Sequence, residues 1–99
     1  MNLTFGGEAI EEAIVSAGAL GPLVVALRTH AENLKICEYA SGALRNIAFG
    51  SHVIKEAIVS AGAVRPLADV WRTHGGNAKD FAHGALSMLG FKDNGTKMH

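Results

Sequence analysis

Two histidines recur in the same tripeptide, Arg28-Thr29-His30 and Arg72-Thr73-His74, and the only cysteine, Cys37, lies between them. A thiol beside an imidazole is the raw material of a nucleophile–base pair, and thiolate with histidine is a zinc-ligand set. Neither pattern is completed. No second ligand stands at metal-ligand spacing from either histidine, and no local cysteine-protease sequence surrounds Cys37. Each histidine closes a helical pattern, where an imidazole complements the helix dipole. The sequence also lacks a Gly-rich phosphate loop, a paired-carboxylate motif and a His-Glu-x-x-His helix. These residues therefore give no basis for an enzyme, a metal ion or a cofactor, and Cys37 reads as a packed or half-exposed thiol.

The elements that position these groups are copies of one another. Glu12 to Ala19, E-A-I-V-S-A-G-A, returns letter for letter at Glu56 to Ala63, 44 residues later. Repetition of helical patterns at that period is the mark of a solenoid, whose units stack and share one core. From Glu8 to Ala17 the apolar residues Ile10, Ala13, Ile14 and Ala17 fall at helical spacing, with Gly18 suited to a left-handed stop. A second helix is expected from Pro22 to His30, with Leu23, Val24 and Leu27 inward and proline in a position that needs no amide. A third and longest one, Leu34 to Phe49, starts on Asn33 as N-cap and turns Ile36, Ala40, Ala43, Leu44 and Ile47 inward.

The second unit follows the same plan over Val53 to Ala61, Pro66 to Thr73 and Ala78 to Leu89, with Gly62 and Asn77 as the matching cap residues. Through the loop before its third helix the offset falls to 42, so Ala40, Gly42, Ala43 and Leu44 correspond to Ala82, Gly84, Ala85 and Leu86. Asn2 to Gly7 parallels Asn46 to Ser51, so residues 1–7 read as the remnant of a preceding helix. Units at 8–49 and 52–91 follow, within a repeat domain over 1–91, and 92–99 reads as a frayed polar tail.

Composition sets outer bounds. With 48% apolar and 18% charged residues over 99 positions, the chain has the make-up of one small globular domain. Nine basic residues balance nine acidic ones, so no overall field favours nucleic acid or an anionic membrane. No apolar run is long enough to cross a bilayer, and the start lacks the pattern of a signal peptide. A lone cysteine agrees with a reducing compartment, so the expected location is cytoplasmic or nuclear.

The stretch A-I-V-S-A-G-A-L-G-P-L-V-V-A-L-R-T-H from Ala13, followed by E-Y-A-S-G-A-L-R-N-I-A from Glu38, resembles the armadillo repeat, with its I-V-x-A-G-x-(I/L)-x-P-L-V-x-L-L signature and A-x-x-A-L-x-N-L-A third helix. The resemblance implies an all-α protein, a right-handed armadillo-type solenoid of two three-helix repeats. It also implies a scaffold that holds a protein or an extended peptide on the concave face of its third helices. The family's peptide-binding asparagine matches Asn46, whose carboxamide offers the donor and the acceptor that an extended backbone requires. Asn2 fits the same place in the preceding remnant, and Met88, which fits it in the second unit, cannot make those bonds.

Around Asn46 the candidate face comprises Arg45, Tyr39 and Gly42, continued by Phe81, Gly84 and Met88. Tyr39 and Phe81 stand seven residues before Asn46 and Met88, which suits either the groove or the edge of the core. Gly42 and Gly84 stand where importin alpha often has tryptophan, so capture of lysines between tryptophans is not expected. Glycine within a helix costs roughly 1 kcal/mol relative to alanine. Two at matching sites point to close approach by a neighbouring helix, with an open groove floor as the alternative. Trp71 replaces Leu27 at an inward site and reads as structural. A second possibility is self-association into a homo-oligomer through the first helix, where Ile10 and Ile14 form an apolar face that two repeats leave uncovered.

Overall fold

The computed structural model describes residues 18 and 20–98, and among these it is helical apart from one isolated β-bridge. Helix α1 covers residues 20–29, and α2 (Leu34–Ile47), α3 (His52–Ser60), α4 (Val64–Thr73) and α5 (Gly76–Leu89) follow. In α1 the buried residues are Leu20, Val24 and Leu27, one stripe at helical spacing. α2 buries Cys37, Ala40, Ser41 and Leu44, and α5 buries Ala78, Ala82, Ala85 and Leu86. The main packing is α2 against α5, with α4 covering another side of α5. Alanines let these helices approach closely, while Leu27, Leu44, Ile58, Leu67 and Leu86 fill the remaining space as the largest fully buried side chains. Each such residue contributes on the order of 1.5–3 kcal/mol relative to an exposed one.

Helix ends show where local chemistry decides the boundaries. The Asn33 carboxamide accepts the Ile36 amide at 3.0 Å, the bond expected of an N-cap. Ser51 does the same for α3, accepting from the Ile54 amide at 3.4 Å. Gly62 ends α3 with φ of +85°, and Ala63 N–H returns to the Ile58 carbonyl at 3.4 Å, which closes a Schellman turn. Its copy Gly18 is helical, so the repeated glycine does not serve the same purpose twice; glycine tolerates both conformations.

Four boundaries depart from the sequence reading. Helix α1 is already formed at Leu20, and α4 begins at Val64, so Pro66 is its third residue. No amide in the first turn has an intrahelical partner, so proline is tolerated throughout that turn. Helix α2 stops at Ile47, and the Phe49 and Gly50 amides make short turn bonds to the Asn46 and Ile47 carbonyls. Asn77 does not cap α5: it lies inside the helix, and the N-cap is Gly75, with no side-chain bond. The shorter loop moves the start of the helix forward to Gly76, which takes φ of +59°.

Residues 91–98 are an ordered return rather than a frayed tail. Phe91 pairs with Lys97, the Lys92 amide donates to the Thr96 carbonyl at 2.7 Å, and Met98 N–H reaches the Gly90 carbonyl at 2.8 Å. Polar residues that look solvated in sequence serve the turn: Asn94 accepts the Thr96 amide at 2.9 Å, and Asp93 Oδ1 meets His83 Nδ1 at 2.7 Å.

The caps give a paired prediction. Asn33→Ala should lower stability by about 1 kcal/mol, whereas Asn77→Ala, which removes no cap, should leave it unchanged or raise it by up to roughly 0.7 kcal/mol. Urea unfolding followed by circular dichroism reads both, and equal losses would contradict the observed α5 start.

Candidate functional site

The residues expected to line a groove divide into three places. Tyr39 and Asn46 stand seven residues apart on the solvent face of α2; Tyr39 is 75% exposed and Asn46 is exposed. Arg45, Gly42, Phe81 and Gly84 form one contact between α2 and α5. Met88 is half-buried on the core and lines a cleft of about 520 Å³ with α3 residues that include Lys55 and Glu56. Ile10 and Ile14 lie outside the described residues, as does Asn2. Their second-unit copies Ile54 and Ile58 are buried in α3.

The contact between α2 and α5 explains both helical glycines. A Cβ built on Gly42 would lie 3.2 Å from Phe81 Cδ2, so the bare backbone of α2 is where the ring of α5 rests. A Cβ on Gly84 would lie 2.9 Å from Cδ and Nε of Arg45, closer than unshifted atoms allow. Each helix gives up a side chain to receive one from the other. Close approach accounts for the glycines, and the two neighbours they admit, Phe81 and Arg45, are both half-exposed.

Arg45 stands near two rings, its guanidinium carbon 5.6 Å from the centroid of Phe49 and 5.8 Å from that of Phe81. Both distances are within cation–π range. Phe49, absent from the sequence-derived face, is 63% exposed just beyond the end of α2. Its spacing from Arg45, one helical turn, was the available signal. A similar stack holds Lys79 Nζ 4.1 Å from the centroid of Trp71, which is half-buried against the core as its repeat position suggests.

His74 and the cysteine have structural partners. The Cys37 thiol is fully buried and donates towards the carbonyls of His30 and Ala31, at 3.5 and 3.4 Å. His74 caps the C-terminus of α4, and its Nε2 lies 2.8 Å from the same Ala31 carbonyl, so that nitrogen carries the proton. One backbone oxygen thus receives both groups, and the loop after α1 is pinned from two sides. Ser41 is a buried exception, its hydroxyl having no hydrogen-bond partner among the described residues, in a face of α2 built of small residues. Among the described residues no cluster of three or more His, Cys, Asp or Glu could hold a metal, and no helix is long and apolar enough to cross a membrane.

The described residues thus form a helical core that leaves one face of α2 to solvent. Residues 9–49 match the family model described as Armadillo/beta-catenin-like repeat, which is consistent with the resemblance of this stretch to that family. Comparison with curated proteins and with solved structures returns no match. Armadillo repeats are in general protein-interaction modules and not enzymes.

Burial pushes the Cys37 thiol up from its ordinary value, which keeps it protonated at neutral pH. A thiol-specific disulfide reagent at pH 7 should therefore react with the native chain at least tenfold more slowly than with the urea-unfolded chain, a conservative bound for a buried thiol. Fast native reaction at neutral pH would contradict this assignment and reopen a nucleophilic role.

Proposed function

We propose that this chain is a protein-interaction module whose partner lies as an extended segment along the exposed face of α2. The observation that carries this reading is the pairing of an exposed carboxamide, Asn46, with an exposed aromatic, Tyr39, two helical turns away on that face. A carboxamide can bond both groups of a peptide unit, and an aromatic ring supplies apolar area at little entropic cost. The Phe81 ring in the Gly42 notch and the neighbouring Arg45 extend the face towards α5 and Gly84.

The armadillo match over residues 9–49, with the sequence repeat that continues after it, supports a stack of two such units, right-handed as the armadillo resemblance implies. Even charge balance and the buried, unpaired Cys37 support a protein partner in a cytoplasmic or nuclear setting. For a peptide selected on an array of extended 12-residue sequences, Asn46→Ala should weaken binding by about 2- to 12-fold, the worth of one net hydrogen bond. Helicity should not change. Unchanged affinity in that variant, measured by fluorescence anisotropy, would contradict the groove.

A homotypic contact is a second reading, favoured by the burial of Ile54 and Ile58, the copies of Ile10 and Ile14. Residues at these places are covered in the second unit, and another copy of the chain could cover them in the first. Light scattering at two micromolar concentrations should then give a mass above 10.3 kDa that Ile10→Glu or Ile14→Glu reduces. A folded monomer at both concentrations would contradict self-association.

A further inference from the structure

We infer that the cleft between α3 and the return at 91–98 binds a small amphiphilic carboxylate, an apolar chain that ends in a carboxyl group. This goes beyond the interaction-module reading and does not depend on Asn46 or Tyr39.

The cleft, of about 520 Å³, has the size of a small-molecule site. Met88, Leu89 and Phe91 line it, and all three are partly buried against the core, so they offer a fixed apolar surface. Half-buried Val59 adds to it from α3. Charge on the same cleft is unbalanced. Lys55 of α3 and Lys97 of the return also line it, and among the described residues neither has a carboxylate within ion-pair distance. The one carboxylate among the lining residues, Glu56, is met by His52 at 3.0 Å, and Asp93 of the return is met by His83 at 2.7 Å. With His52 neutral, the two ammonium groups outnumber the carboxylate on a chain whose formal charge is zero.

The cleft arises where the second unit departs from the first. At the 42-residue offset Met88 stands where the first unit has Asn46, which removes a hydrogen-bonding carboxamide and supplies an adaptable apolar side chain. Residues 91–98 turn back where the first unit continues into α3. Partners in an antiparallel pair carry their side chains on the same side, so the bridge of Phe91 with Lys97 sets an aromatic residue and a cation on one side of the return. Apolar surface beside unpaired ammonium donors suits a hydrocarbon chain with a carboxylate at its end. A peptide segment fits less well, because its backbone N–H and C=O groups would find no partners against Met88, Leu89 and Phe91.

The test titrates the full chain with decanoate below its micelle concentration and follows amide NMR shifts, with acetate and decyltrimethylammonium as controls. Decanoate should shift the Val59, Leu89 and Phe91 amides saturably and bind at least roughly tenfold more tightly than either control, since acetate lacks the chain and the ammonium compound has the wrong charge. Lys55→Gln combined with Lys97→Gln should weaken decanoate by about 2- to 30-fold, the worth of two exposed ion pairs. Met88→Asn, which installs the residue that α2 carries at the matching place, should weaken it by about 3- to 12-fold, half the worth of burying a methionine. Absence of saturable shifts, or saturable shifts confined to residues outside the cleft, would overturn the site. Equal binding of decanoate and either control would overturn the ligand class, and unchanged decanoate affinity in the double-lysine variant or in Met88→Asn would overturn the roles given to those residues. None of these outcomes bears on the Asn46 face.

Discussion

The contact between α2 and α5 is the constraint on which the rest depends. Helices can approach closely only where side chains are small, and here Ala78, Ala82 and Ala85 of α5 are fully buried while Gly42 and Gly84 leave bare backbone at the rim. The alanines hold the core together. The glycines instead decide what emerges at its edge, because each opening is filled by a side chain from the opposite helix. Packing and surface chemistry are therefore one arrangement: the same approach that buries Leu44 and Leu86 brings Phe81 and Arg45 to the boundary with solvent.

Much of this was legible in the sequence because helical periodicity and repetition are strong signals. The inward residues Val24, Leu27, Leu44 and Leu86 could be read from spacing, and Asn33 could be read as a cap from its type and place. Boundaries were less legible. Pro66 suggested a helix start, yet the first turn tolerates proline at several positions, and α4 begins two residues earlier. Asn77 looked like the copy of Asn33, but two residues fewer in the loop put it inside α5. The return at 91–98 was hidden because its stability comes from backbone pairing and from the long-range contact of Asp93 with His83, which no local pattern records.

Within the candidate site, residue types were legible and partnerships were not. The glycines at 42 and 84 announced close approach, but nothing in their spacing says that one faces a phenyl ring and the other an arginine stem. Phe49 was missed although it stands one turn from Arg45, because it falls outside the inward stripe that periodicity selects. Conversely, the recurring histidines attract a chemical reading that structure answers simply, since His74 and Cys37 meet at the Ala31 carbonyl and secure a loop.

The most direct measurement of the central contact is the proton NMR spectrum around Gly42. A ring resting 3.2 Å from the place of a Gly42 Cβ should shift the Gly42 α-protons upfield and give nuclear Overhauser contacts between them and the Phe81 ring. Phe81→Leu should abolish the shift. Gly42 α-protons at ordinary shifts, with no contact to Phe81, would contradict the packing of α2 on α5 from which the account is built.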